Sequence, residues 1–358
     1  MGSRPLCRRR VAWVVALAMA GSLVQQRAYG QDEPVSRLTS TFLQLWADHA
    51  NWPQERWQEV FRHFSAMGLR DVYVQWTLYD DISYAVPNSP GKQPPVDTIL
   101  RLAETNGMRV HLGLAFHSKF FENAKPGPRL GEYMRSQQAR SLAAAQEIAS
   151  RYGSHRAFVG WYIAEELDDL MWPAGEARNV LFDFVAATVD GLNRIAPGKP
   201  VTISGYAGAR SDPYQLGQFW SALLERVPKL TTVMFQDGIG VGNLPLTYLP
   251  QYLEVMRQAT ARHERELRVI VEVFRQVDGV FNGRAFRAVP VPFTFVLPQM
   301  ETAAPYSKGG LVAFSIPEYM TPLGAPGARE SYLAYLDWLR ASGAQTSLAS
   351  RLNDTRAR

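Results

Sequence analysis

An alternation of two textures, running from about residue 41 to residue 341, constrains this chain most. Short apolar, β-branched or aromatic runs alternate with longer stretches in which Ala, Leu, Arg and Glu recur at helical spacing. The runs are Thr41–Trp46, Asp71–Thr77, Arg109–Phe116, Phe158–Glu166, Pro200–Tyr206, Thr231–Asp237, Arg268–Gln276 and Gly310–Tyr319. Helical patterns fill the gaps at Gln54–Met67, Val96–Asn106, Ser136–Tyr152, Glu176–Ile195, Tyr214–Arg226 and Leu249–His263, with a less regular one at Pro292–Ala303 and a last one at Ala328–Ala341. Strand followed by helix, repeated eight times, predicts an α/β fold: a single (β/α)8 TIM barrel. The competing arrangement is an open doubly wound sheet. It usually carries a glycine-rich first turn, and none follows Trp46. Gly68, Gly107 and Gly153 fall where helix C-caps are expected.

Residues 1–30 carry a different pattern. Arg8, Arg9 and Arg10 precede an apolar run over residues 11–24, and Ala28 and Gly30 give a small-x-small step before Gln31. This predicts a secretory signal peptide, because the run is too short to span a bilayer comfortably. The expected organisation is a leader over 1–30, a barrel domain over 31–345 and a polar tail over 346–358. A periplasmic or secreted location follows, with no membrane association once the leader is removed. The leader holds five of the 38 basic residues and none of the 33 acidic ones, so the remainder carries 33 of each. The basic balance thus belongs to the leader, and nothing argues for nucleic acid as a partner. The single cysteine, Cys7, also lies in the leader, which removes disulfides, thiolate metal sites and a cysteine nucleophile from the rest.

In a barrel, chemistry sits at the carboxyl ends of the strands. Successive strands place there Gln44 and Trp46; Gln75, Trp76 and Tyr79; His117; Glu165, Glu166, Asp168, Asp169 and Trp172; Ser204 and Tyr206; Gln236 and Asp237; Glu272 and Arg275; and Ser315, Glu318 and Tyr319. Several carboxylates and aromatic rings without paired histidines suit a sugar site. Glycoside cleavage needs one carboxylic acid to protonate the leaving oxygen and a second carboxylate to attack the anomeric carbon or activate water. Flat rings stack on pyranose faces. The six histidines, at 49, 63, 111, 117, 155 and 263, show no metal-ligand spacing, so neither a metal nor another cofactor is expected. Ser204 has no Gly two residues before it, so it is no nucleophile elbow, which counts against an esterase.

Side chains alternate along a strand, so Tyr162, Ala164 and Glu166 share one face and Glu165 takes the other. The small Ala164 fits a crowded interior, which makes Glu166 the mouth-facing acid; a bulge at the strand end would invert that order. Asp168 and Asp169 are better suited to capping or pairing. Glu272 stands among Val, Ile and Phe, mid-strand, either paired with an arginine such as Arg275 or used as a catalyst. If it is structural, Asp237 or Glu318 becomes the second carboxylate. Asp237 also suits an Asp-Gly turn. Trp46, Trp76 and Trp172 are equally suited to stacking on sugar and to packing.

The stretch GWYIAEELDD (160–169), with FQDGIG, VEVF, TFLQLW and GLRDVYVQWT, resembles a bacterial barrel family grouped with the glycoside hydrolases and described as domain of unknown function 4434. The resemblance covers about residues 41–340. It implies a (β/α)8 fold of the glycoside-hydrolase type with no settled substrate. In related retaining glycosidases the acid/base ends the fourth strand and the nucleophile ends the seventh, the positions of Glu166 and Glu272. The residue before the acid there is usually Asn, and here it is Glu165, which leaves a pairing of Glu166 with Asp237 open. The expectation is an exported, monomeric glycoside hydrolase acting on a polysaccharide or oligosaccharide. Glu166 and Glu272 are its catalytic pair. Gln44, Trp46, Gln75, Trp76, Glu165, Tyr206, Gln236, Asp237 and Glu318 would hold substrate. The alternative is a non-catalytic glycan-binding barrel that assists exopolysaccharide export or assembly.

Overall fold

The computed structural model describes residues 36–87, 89–279 and 286–342; the expected leader and polar tail lie outside them. Eight parallel strands close a barrel: β1 (Leu38–Leu43), β2 (Asp71–Val74), β3 (Arg109–Gly113), β4 (Phe158–Leu167), β5 (Val201–Gly205), β6 (Thr232–Gln236), β7 (Glu266–Glu272) and β8 (Leu311–Phe314). Each pairs with its neighbours in chain order, and β8 closes on β1 through Thr41 and Ala313.

The helices between them are α1 (Gln54–Ala66), α2 (Pro95–Thr105), α3 (Leu130–Tyr152), α4 (Glu176–Ile195), α5 (Pro213–Arg226), α6 (Leu249–Arg262), α7 (Phe293–Ala303) and α8 (Ala328–Ala341). They form because apolar residues recur at helical spacing. In α1, Trp57, Val60, Phe61 and Phe64 make one buried stripe. Among the described residues no helix is long and apolar enough to cross a membrane.

The (β/α)8 expectation holds, and several strand ends differ from it. β1 and β2 stop at Leu43 and Val74, which leaves Gln44, Trp46, Gln75 and Trp76 on the loops just above. The run 268–276 is not one strand. β7 ends at Glu272, and the chain then turns into an antiparallel hairpin of Phe274–Asp278 with Arg287–Pro290. Glu272 is therefore the last residue of its strand rather than a mid-strand residue; the continuous apolar run VEVF hides the turn. α3 starts at Leu130, six residues before the helical pattern expected from Ser136. Gly68 and Gly107 adopt the left-handed conformation of a C-cap, whereas Gly153 ends α3 at φ −55° and makes no such cap.

Three levels fill the barrel. At the floor, Asp71 accepts two hydrogen bonds from Arg109, at 2.7 and 3.0 Å, and one from Arg268 at 3.4 Å. Burial would raise the Asp71 carboxyl, but Arg109 and then Arg268 hold it below the usual range. In the middle, the Phe42 ring meets those of Tyr73, Tyr162 and Phe314 at 5.7, 5.2 and 5.4 Å. His111 stacks on Tyr73 at 4.3 Å, and only glycine fits at 160, where a Cβ would stand 2.6 Å from His111 Nδ1. Alternation along the strands then carries Gln44, Gln75, Glu166, Gln236 and Glu272 to the open end.

Candidate active site

The longest strand, β4, delivers the first acid through an irregularity. Ile163 pairs with Ile203 and Glu166 with Ser204, so Ala164 and Glu165 have no partners on β5. Two extra residues preserve the alternation that one would invert, and Glu166 faces the mouth as expected. Gln75 donates to Glu166 Oε1 at 3.4 Å and accepts from Gln44 at 2.8 Å. Burial pushes the Glu166 carboxyl up to about 7; a hydrogen bond with Gln236 pulls the other way. Nearby, the hydroxyls of Tyr162 and Ser204 share a hydrogen bond of 2.6 Å.

Glu165 is 1 % exposed, and neither of its carboxyl oxygens has a hydrogen-bond partner. Its charge bears on Tyr162 and on Tyr133, in the first turn of α3. Burial pushes its carboxyl to about 8. Asp168 accepts from the N–H groups of Leu170 and Met171, both at 2.7 Å, and Asp169 accepts from the Ser211 hydroxyl, so these two acids organise the loop. Tyr206 is hydrogen-bonded to Asp168, and burial first, then that acid, raises its phenol far above the usual range.

Across the barrel, Glu272 is 1 % exposed. The loop after β6 covers it: Val241 N–H donates to Glu272 Oε2 at 2.8 Å. At Gly240 a Cβ would lie 2.7 Å from the Glu272 Cβ and 2.6 Å from the Phe274 carbonyl, so the cover needs glycine there. Asp237 Oδ1 accepts from the N–H groups of Ile239 and Glu272, while its Oδ2 is buried without a partner. Burial raises Asp237 to about 7. Burial raises Glu272 well above the usual range, with the Asp237 charge adding most to this and the Glu166 charge a smaller part. At the end of β8 the chain passes through a cis peptide at Phe314–Ser315. The Ser315 hydroxyl then donates to Glu318, whose carboxyl burial raises to about 7.

The aromatic expectations divide. Trp76 is buried, and its indole N–H is spent on the Leu45 carbonyl at 2.7 Å. It packs on Phe116 and supports Trp46, and its faces are closed to a ligand. Trp46 itself is 37 % exposed, edge-on to Tyr79. Trp172 is fully buried. Arg275 is exposed on the hairpin and makes no ion pair with Glu272. His117 accepts from the Lys119 N–H and is a wall residue. Among the described residues no group of three or more His, Cys, Asp or Glu is placed to hold a metal ion.

Sequence patterns missed the cover over Glu272 and the Tyr162–Ser204 pair. The glycines at 238, 240 and 242, just after the Asp237 turn, were the one available signal for the cover.

The model described as "Domain of unknown function (DUF4434)" matches residues 38–328. The chain belongs to that family. A curated relative, "Uncharacterized protein YbcH" of Escherichia coli K12, is 28% identical over 249 residues, 66% of this chain and 75% of its own length. Among solved structures, a candidate α-L-fucosidase from Bacteroides thetaiotaomicron superposes with a TM-score of 0.70 at 20% identity, covering 85% of this chain and 93% of that one. A β-galactosidase from Marinomonas ef1 reaches 0.52 at 14% identity, over 87% and 60%. GH10 from Paenibacillus barcinonensis reaches 0.50 at 14% identity, over 84% and 94%. At these identities the likeness concerns the fold: this DUF4434 protein is a TIM barrel of the kind found in glycoside hydrolases.

Proposed function

We propose that this protein is an exported glycoside hydrolase in which Glu166 is the general acid/base and Glu272 the nucleophile or the base. The observation that carries the proposal is that two glutamates, from β4 and β7, end on the inner face of one mouth, near enough for the charge of one to raise the other. Cleavage asks for such a pair. A carboxyl raised to about 7 keeps its proton near neutral pH, as a group protonating the glycosidic oxygen must. Glu272 then attacks the anomeric carbon or takes a proton from the attacking water. Gln75, held by Gln44, and Gln236 orient Glu166. Tyr206, Asp237 and Glu318 offer polar contacts to sugar and the half-open ring of Trp46 offers a face, whereas Glu165, by alternation on the opposite face of β4, offers none. The expected leader fits a polymeric substrate outside the cytoplasm.

The rival is a barrel that holds glycan without cutting it. One observation favours it: Glu272 lies covered by the Gly240–Val241 loop. Purified protein tested on a panel of bacterial exopolysaccharides, with product analysis, separates the two. The hydrolase yields new reducing ends, lost in Glu166→Gln and Glu272→Gln variants that remain folded. Tight glycan binding without cleavage by the unaltered protein would establish the rival.

A further inference from the structure

The mouth contains more acid than cleavage uses. Two carboxyls suffice for hydrolysis; Asp237 and Glu318 are in excess of them. Among the described residues no Lys, Arg or His forms an ion pair with Glu165, Glu166, Asp237, Glu272 or Glu318. The shortage is local. At the floor the same barrel gives Asp71 two arginines, and one of them, Arg268, stands on β7 four residues before Glu272. A second observation is independent of the count: Oδ2 of Asp237, the acid whose charge bears on Glu272, is buried with nothing to bond to. Buried polar atoms are nearly always satisfied, and one left open beside a candidate site is free to accept a donor from a ligand.

We infer that the glycan bound at this mouth carries free amino groups, as in oligomers or polymers of 2-amino-2-deoxyhexoses. The inference rests on the sugar-site assignment above and names its substrate class. An ammonium brings three charge-assisted donors and the positive charge that the protein omits. An N-acetyl group brings no charge and a single N–H donor. A uronic acid would add a further carboxylate to a site with no cation to receive it. The ammonium also bears on mechanism. Glu272 shares its surroundings with Asp237, and neither has a counter-ion; a cation entering between them lets both ionise, which Glu272 must do to act as nucleophile or base. Protons then leave the carboxyls as the amine arrives.

The test is titration calorimetry on the full chain carrying Glu166→Gln, so that nothing is turned over, at about pH 6, below the raised carboxyl value of Asp237. The probes are glucosamine oligomers in 1,4 and 1,6 linkage, their N-acetylated counterparts of equal length, and galacturonic acid oligomers. The expected result is that the amino oligomers bind at least about tenfold tighter than the acetylated ones, the tenfold being about 1.4 kcal/mol. Heats that vary with buffer should report about one proton released or more. Adding Asp237→Asn should bring the affinity for the amino oligomers down to that for the acetylated ones, and a preference that survives the change overturns the inference. Equal or tighter binding of acetylated or uronic oligomers overturns the inference and leaves the sugar-site assignment standing. Binding of no sugar of any class overturns both.

Discussion

The two ends of the barrel treat buried acid in opposite ways. At the floor, Asp71 is tied to Arg109 and Arg268, and Arg268 also bonds Glu266 and the Tyr73 hydroxyl. At the mouth, the acids have neutral partners: glutamine amides, a serine hydroxyl and backbone N–H groups. The same strands supply both ends, so the contrast is not a matter of what the chain can provide. Paired charge stabilises a fixed arrangement, and removing one partner of a buried pair is costly. Unpaired carboxyls hold protons at neutral pH and leave a debt for a ligand to settle. The floor is thus built to hold a fixed arrangement, and the mouth is left with acid that a ligand can meet.

The contrast breaks most directly at Glu166. Changing it to Gln keeps shape and removes the proton: turnover on a cleaved glycan should fall by about 10²- to 10⁴-fold with no loss of melting temperature. Retained turnover would take Glu166 out of the chemistry. At the floor, Asp71→Asn should do the reverse. It takes the carboxylate away from Arg109 and Arg268 and should lower stability by about 3 kcal/mol in a denaturant titration, with activity per folded molecule retained.

Dependence on pH sharpens the difference. Asp71 has a depressed value, so its stabilisation is present above about 3.8 and is lost as pH falls through its folded value. Glu165 is raised from 4.5 to about 8, so the folded form binds the proton more tightly. Its contribution is full below about 4.5 and is lost as pH rises through about 8. Stability followed by chemical denaturation from pH 5 to 8 should therefore decline, and Glu165→Gln should flatten that decline by about 1.4 kcal/mol per pH unit over the window. An unchanged slope would mean that Glu165 has a partner in solution. The smallest effect is expected from Gln44→Ala. Gln75 loses its anchor, and the alkaline limb of the pH–rate profile, set by loss of the Glu166 proton, should move by a few tenths of a unit while stability stays within about 0.5 kcal/mol.

Much of this was legible in the sequence. Strand and helix periods encode the barrel because each β/α pair is a local pattern, and parity along β4 points Glu166 rather than Glu165 toward the mouth. What was not legible depends on residues far apart in the chain. Trp76 looks like a stacking platform until Leu45, on a neighbouring strand's end, takes its indole N–H. The strand containing Glu272 looked unbroken because the residues after the turn are as apolar as those before it. The loop over Glu272 and the missing counter-ions are tertiary facts, and no spacing rule encodes the absence of an arginine.

The two unpartnered residues in β4 carry an arithmetic of their own. A chain that lost Ala164 and Glu165 together would still present Glu166 beside Ser204, on the same side as before. Losing either one alone would reverse everything downstream, sending Glu166 toward the helices and Leu167 into the cup. Length variation at this point is therefore tolerable only in steps of two, and a family member one residue shorter here would have to find its acid elsewhere.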